Sequence, residues 1–156
     1  KVVTITIPSA ELGTPFNGEV EHLQKLVDIA ETEGARVGMK AQIGRLTEDP
    51  DTVRVLCDNV HGLGLTLDPS HYHCGPYKNK NIEKLMKYVF HVHLRDSKKN
   101  QLQVRVGQGE IEYGRLIMQL QRVGYDQALS VEITPAEDID VRQELRKLRL
   151  LLDSLL

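Results

Sequence analysis

Two residues that can bind a metal or transfer a proton follow the apolar segment LGLTL. These are Asp68 and, three residues later, His71. An acidic residue at the end of a strand can bind a divalent cation, and a nearby histidine can bind the cation or a substrate hydroxyl. The alternative interpretation is an Asp-Pro turn with a surface histidine, because Asp and Pro both favour turns. The spacing alone leaves both interpretations open.

The segment HVHLRD contains two histidines, His91 and His93, that alternate with apolar residues. Side chains two residues apart face the same side of a strand. We expect His91 to be a core histidine with satisfied hydrogen bonds, whereas His93, nearer the end of the strand, is a candidate ligand. Arg95 and Asp96 follow as either an orienting pair or a surface ion pair.

Glu132 lies in the middle of the strongly apolar segment LSVEIT. An isolated carboxylate is costly to bury, so this one should be paired, bound to a metal or placed at the exposed mouth of the fold. Among the candidate residues, Glu132 is the one for which a functional role is favoured most clearly over a structural one.

The segment VRVGQG precedes Glu132 and is expected to be a loop that enters a helix. Gly107 and Gly109 would let the backbone approach a ligand closely. Arg105, just before them, is either a binding residue for a phosphate or carboxylate group or a solvated loop charge.

Short apolar segments alternate with amphipathic helices along the whole chain. Strands are expected near residues 2–8, 36–42, 63–71, 90–96 and 127–134. Helices are expected at residues 19–35, 50–60, 81–89, 112–125 and 140–156. Residues 97–111 are expected to form a longer loop.

Five such units predict an α/β fold with a parallel sheet and right-handed crossovers. An open doubly wound sheet and a (β/α)8 TIM barrel both fit this alternation. The polar residues at the ends of the last three strands favour the barrel, because a barrel brings the carboxyl ends of its strands around one axis. A full barrel has about 250 residues, and this chain has 156. We therefore expect about five βα units, with bare first and last strands completed by a missing N-terminal part or by another chain.

Composition narrows the classes of function. The formal net charge is −2, without the basic excess that is usual in nucleic-acid binders. No segment is long and apolar enough to predict a membrane span. With only two cysteines, a disulfide framework is not expected, and a reducing, cytoplasmic location is the default.

The segments GLGLTLDPSH, FHVHLRD and GQGEIEYGRLI, followed by GYDQALSVEI, together resemble the sugar phosphate isomerase/epimerase family. These are xylose-isomerase-like TIM barrels, related to apurinic endonucleases. The resemblance covers essentially the whole chain, so residues 1–156 would be the C-terminal portion of one barrel domain, strands 4 to 8. It implies that Asp68, His93 and Glu132 bind a divalent metal (Mn, Mg, Co or Zn), and that His71 contacts substrate or metal.

Two positions depart from the family pattern. Where the family usually has a glutamate that binds metal and transfers protons, this chain has Lys40, whose charge would oppose a metal. Three outcomes are open. Lys40 could turn away while the other three ligands hold the metal, or it could act as a base or stabilise an enolate. The third outcome is that the site has lost its metal. Epimerases often have an arginine, and the endonucleases a histidine, four residues before Gly107, where this chain has Gln103.

The leading hypothesis is a sugar isomerase or epimerase that uses metal-assisted proton transfer next to a carbonyl group. Glu132 or Lys40 would be the base and His71 would orient a hydroxyl, with Arg105 and Gln103 as further substrate contacts. The first alternative is a catalytically impaired or metal-free barrel that binds a small ligand. The second is a DNA-repair phosphodiesterase resembling apurinic endonucleases. Expected partners are a small sugar or sugar phosphate and the missing barrel half, with homo-oligomerisation left open.

Overall fold

The computed structural model describes residues 2–137 and 139–156. Its elements, in chain order, are β1 (Val3–Ile7), α1 (Phe16–Thr32), β2 (Ala35–Lys40), α2 (Pro50–Asn59), β3 (Gly64–Leu67), α3 (Pro69–Cys74), β4 (Val89–Leu94), β5 (Asp96–Lys98), β6 (Gln101–Val104), α4 (Tyr113–Arg122), β7 (Leu129–Val131) and α5 (Val141–Asp153). Two short 3₁₀ helices, Leu46–Glu48 and Glu83–Tyr88, lie between them. No helix in the described part of the chain is long and apolar enough to cross a membrane.

Five parallel strands form the main sheet in the order β1-β2-β3-β4-β7. Each of these strands pairs with the strand of the following βα unit. Lys40 of β2, for example, lies beside Thr66 of β3, and His93 of β4 lies beside Ser130 of β7. In a doubly wound sheet, the order of the strands reverses at a switch point. In this sheet the strand order follows the chain order from one edge to the other, as it does in a barrel. The predicted partial (β/α) barrel is therefore confirmed.

The two faces of the sheet have different side chains. Val37 and Met39 of β2 are buried and pack with Leu23 and Val27 of α1 in the core. The opposite face is polar, as when the Thr6 and Thr66 hydroxyls of β1 and β3 meet at 2.8 Å. The alternation of period two along each strand produces this division. Functional side chains can therefore lie on the inner face without disturbing the core.

Four segments differ from the sequence-based expectation. The helix expected at residues 81–89 is a 3₁₀ helix, Glu83–Tyr88, and the last strand ends at Val131, so that Glu132 follows it. The third strand ends at Leu67, and the DPSH segment begins α3, because Asp68 caps the helix by accepting the Ser70 N–H at 3.0 Å and Pro69 is in the first turn. Residues 97–111, expected as a loop, contain an antiparallel pairing of β5 with β6. His71 therefore projects from a helix, and the chain between β4 and α4 is anchored by a hairpin.

Candidate active site

Five of the predicted site residues lie on one rim of the sheet. They follow or end the parallel strands: Lys40 ends β2, Asp68 and His71 follow β3, His93 lies in β4 and Glu132 follows β7. The carboxyl ends of barrel strands meet around one axis, so residues 92 positions apart come into contact here. The structure adds a sixth residue, Arg95, which follows β4.

Glu132 is held between strands that are not neighbours in the sheet. The Lys40 ammonium of β2 donates to Glu132 Oε1 at 2.6 Å, while the Glu132 N–H donates to the Leu94 carbonyl of β4 at 2.9 Å. The side chains are 21% and 35% exposed, so the pair faces the barrel mouth. Burial acts to raise the pKa of Glu132, but the Lys40 hydrogen bond and the charges of Arg95 and Lys40 outweigh it and lower the pKa. Glu132 is therefore ionised at neutral pH.

Arg95 joins the two carboxylates of the cluster. Its Nε and Nη2 donate to Asp68 Oδ2 at 3.1 and 2.9 Å, and the same Nη2 lies 2.9 Å from Glu132 Oε2. Asp68 is fully buried and Arg95 is 5% exposed. Ser70 donates to the Arg95 carbonyl at 3.2 Å, which holds α3 against the end of β4. The guanidinium stays charged when buried and neutralises Asp68.

His93 faces Glu132 at the centre of the cluster. Its Nδ1 lies 2.9 Å from Glu132 Oε2. Among the described residues, neither of these two buried atoms has a hydrogen bond of good geometry. The His91 ring meets the His93 ring edge-on at 5.0 Å, which fixes its tilt. Both atoms are buried, so His93 Nδ1 and the Arg95 Nη2 at 2.9 Å hold Glu132 Oε2 inside the cluster.

His71 is buried beside Asp68, with its protonation defined by the backbone. The Ile43 N–H donates to His71 Nδ1 at 3.1 Å, so the neutral ring carries its proton on Nε2. Nε2 lies 3.6 Å from Asp68 Oδ2, too far for a hydrogen bond. Burial lowers the pKa of His71, although the Asp68 charge opposes this. The residue is therefore a neutral hydrogen-bond donor at neutral pH.

A divalent metal does not fit the predicted triad of Asp68, His93 and Glu132 in this arrangement. The Arg95 Nη2 already lies within 2.9 Å of both carboxylates, between the two groups that the metal would join. Lys40 holds the other oxygen of Glu132. Within residues 2–137 and 139–156, no group of three or more His, Cys, Asp or Glu side chains is placed to hold a metal ion.

The two remaining predicted substrate contacts lie in and after the hairpin. Gln103 of β6 pairs with the backbone of Thr134: its Nε2 donates to the carbonyl and its Oε1 accepts the N–H, each at 2.7 Å. These two hydrogen bonds tie the hairpin to the segment that carries Glu132. Both polar atoms of the Gln103 amide are therefore bonded to the protein backbone. Arg105 follows β6 and is exposed. Substrate contact by either residue stays a prediction.

The glycine loop approaches a carboxylate of its own chain. Asp96, which is 3% exposed, accepts the N–H groups of Gly107 and Gly109 on Oδ2, each at 2.9 Å. A Cβ at Gly109 would lie 1.9 Å from Asp96 Oδ1. The close backbone approach expected at this loop is therefore an approach to the Asp96 carboxylate.

The sequence carried a signal for the role of Arg95. Arg95 lies two residues after His93, so the two side chains are expected on the same face of the strand.

Comparison with known proteins extends this picture. A curated uncharacterized protein of Methanocaldococcus jannaschii is 25% identical over 134 residues, which are 80% of this chain and 46% of that protein. A solved D-tagatose 3-epimerase-like protein superposes with a TM-score of 0.79 at 20% identity, over 98% of this chain and 63% of its own. A magnesium complex of a xylose isomerase-like TIM barrel protein from Mycobacterium smegmatis gives a TM-score of 0.71 at 16% identity, over 94% of this chain and 54% of its own.

The chain thus spans about half to two thirds of the length of these relatives. At such identities, the solved structures establish the fold. Residues 12–151 match the family model described as xylose isomerase-like TIM barrel. That match covers most of the chain, including every residue of the cluster. The one-directional sheet, the rim of polar residues and this match together show that the chain belongs to the xylose isomerase-like TIM barrel family.

Proposed function

We propose that this chain carries the catalytic rim of a sugar isomerase or epimerase, which moves a proton on the carbon next to a carbonyl group. The observation that carries the proposal is Glu132, an ionised, partly exposed carboxylate held among two cations and a histidine at the barrel mouth. Family membership and the similarity to a D-tagatose 3-epimerase-like protein support it.

Glu132 is the base in this proposal. Its carboxylate takes the proton next to the carbonyl, the C–H electron pair becomes the new C=C bond, and the carbonyl π pair moves to oxygen. The negative charge passes from Glu132 to the substrate oxygen, and Lys40 can stabilise it in both places because it binds Glu132 directly. The Nε2 proton of His71 orients a substrate hydroxyl. The lowered pKa of Glu132 makes it a weaker base, although it is fully ionised at pH 7.

The cluster favours proton transfer by a single base. Glu132 is partly exposed, whereas Asp68 is fully buried and bound to Arg95. Glu132 alone could return the proton to the neighbouring carbon, while the hydroxyl proton of the first carbon passes to the other enediolate oxygen, and these two transfers interconvert an aldose and a ketose. Inversion at one carbon needs a proton donor on the opposite face, which would come from outside this cluster.

Proton exchange with solvent tests the proposed function directly. The purified protein is incubated in D₂O with a panel of aldoses and ketoses that includes D-tagatose, and loss of the proton next to the carbonyl is followed by NMR. We expect exchange with at least one sugar, and a rate about 10²- to 10⁴-fold lower in Glu132→Gln. Glu137→Gln, an exposed carboxylate of the same segment, is the matched control and should exchange normally. Absence of exchange with every sugar, or equal rates in Glu132→Gln, would reject the proposal.

One observation favours a second function, a barrel that binds a sugar without converting it. Both oxygens of Glu132 lie within 3 Å of a cation, and this lowers the pKa of the proposed base. A binding protein would show heat of binding for a sugar by calorimetry and no deuterium incorporation into the same sugar.

We also propose that further βα units complete the barrel on both edges of the sheet. β1 and β7 are the edge strands, and Val3 and Ile5 of β1 are 67% and 45% exposed. The strands of such units would pair with the backbone groups at the sheet edges, and their helices would cover these side chains. Hydrogen exchange measures this: the β1 amides should exchange rapidly in the isolated chain and slowly when the completing units are present.

A further inference from the structure

We propose that Lys40 and Arg95 take the place of a divalent metal, so that this site excludes metal and works with two cations of its own. This inference rests on the proposed function for its catalytic part. Its structural part, the exclusion of metal, rests on the positions and charges of the side chains and is tested separately.

Arg95 is fixed where a metal would have to lie. Two hydrogen bonds to Asp68 Oδ2 hold its guanidinium, and Ser70 holds its backbone carbonyl. A bridging metal would have to displace the Nη2 atom that lies 2.9 Å from both Asp68 and Glu132. Since Arg95 is 5% exposed, the displaced group would have no ready access to solvent. An arginine cannot lose its proton to relieve the repulsion.

Lys40 completes the balance of charge. Lys40 and Arg95 carry two positive charges, and Asp68 and Glu132 carry two negative charges, within a connected set of contacts. The carboxylate charge that would attract a divalent ion is therefore already neutralised, and an added ion would be repelled by both cations.

The same arrangement suits the proposed reaction. Proton transfer to Glu132 neutralises the carboxylate that Lys40 and Arg95 contact, while an equal negative charge appears on the substrate oxygen. The two cations remain in place to stabilise that oxygen, since the net charge of the site does not change. Fixed protein charges that need no rearrangement are effective at this task.

The first experiment titrates Mn²⁺ alone into the purified protein and measures free Mn²⁺ by electron paramagnetic resonance. We expect no stoichiometric binding by the wild type at millimolar Mn²⁺. Removing the cations should create a site: Lys40→Glu, and more strongly Lys40→Glu combined with Arg95→Gln, should bind Mn²⁺ at least about 100-fold more tightly than the wild type. Lys25→Glu, on the exposed face of α1, makes the same change of charge away from the site and should behave as the wild type.

Two results of the titration would overturn the inference. One is stoichiometric, micromolar binding by the wild type that Glu132→Gln abolishes. The other is no gain of binding in a Lys40→Glu protein whose circular dichroism matches the wild type. Lys40 is partly exposed at the rim, so the single variant keeps the test decisive if the double variant does not fold.

The second experiment repeats the exchange assay in D₂O after dialysis against EDTA. Rates that stay within about twofold, with or without added Mn²⁺, support the inference. Loss of exchange with EDTA and its recovery with Mn²⁺ would overturn the inference while leaving the proposed function in place. Absence of exchange under all conditions would reject the proposed function instead, and the Mn²⁺ titration would still decide whether the site excludes metal.

Discussion

Arg95 donates two hydrogen bonds to a single carboxylate oxygen of Asp68, and both side chains are buried. The other oxygen of Asp68 caps α3 through the Ser70 N–H. Asp68 is thus fully engaged inside the protein. The Asp68–Arg95 pair joins the start of α3 to the end of β4. Arg95 also contacts Glu132, with its Nη2 2.9 Å from Oε2.

Replacing Arg95 by methionine should strongly destabilise the protein. The change leaves the fully buried Asp68 without its cation, and removing one partner of a buried ion pair typically costs about 3–5 kcal/mol. Urea unfolding at pH 7 measures this cost. Arg149→Met breaks an exposed pair with Asp153 in α5 and should cost less than about 1 kcal/mol. Equal costs for the two variants would show that Arg95 does not neutralise Asp68.

Stability should fall as the pH is lowered from about 7 to 5, in part because of His71. Burial puts the folded-state pKa of His71 below its unfolded value of about 6.5. In that window the unfolded chain binds a proton that the folded protein excludes, so stability is full above the unfolded pKa and is lost as the pH falls towards the folded pKa.

The measurement compares the slope of unfolding free energy against pH in the wild type and in His71→Gln. The variant should show a shallower slope between pH 7 and 5, with some slope remaining because burial also lowers the pKa of His91. His22→Gln, at an exposed histidine of α1, is the matched control for loss of an imidazole. A His71→Gln slope as steep as that of the wild type would contradict the assignment.

Two glycine-to-alanine changes should have opposite effects. Gly109→Ala would place Cβ 1.9 Å from Asp96 Oδ1, so the loop must move and Asp96 loses backbone donors. Leaving this buried carboxylate short of donors should cost about 1–3 kcal/mol. At Gly114 in α4 the nearest atom to an added Cβ is 3.8 Å away, and helix propensity predicts a gain of about 0.5–1 kcal/mol. Thermal unfolding of both variants checks the difference in sign.

Gln103→Ala should loosen the contact between the hairpin and the segment after β7. The change removes both hydrogen bonds to the Thr134 backbone, each worth about 0.5–1.5 kcal/mol. Hydrogen exchange at the Thr134 amide should therefore become faster. Gln101→Ala, an exposed position at the start of the same strand, is the control and should leave that amide protected. Unchanged protection in Gln103→Ala would mean that the pairing does not hold the segment.

Local features of the sequence predicted some elements well and others incompletely. The Asp68-Pro69-Ser70 pattern is a helix N-terminus signal, and α3 begins there, but the preceding apolar run favoured a longer strand. Residues 101–104, QLQV, alternate polar and apolar residues over only four positions, and they form β6 by pairing with β5. So short a strand depends on its partner strand, which the segment's own sequence does not describe.

The sequence by itself determined the alternation of strands and helices, the family, and which end of the strands carries Lys40, Asp68, His93 and Glu132. The alternation and the placement of these residues follow from periodicity and from residue types, which are local properties of the chain, whereas the family follows from a resemblance over several segments. Only the tertiary structure decided how the charges pair. Lys40 reaches Glu132 across the sheet, and Arg95 lies between Asp68 and Glu132, where the resemblance had implied a metal. The physical reason is that an ion pair depends on distances of a few ångströms between side chains that are distant in sequence.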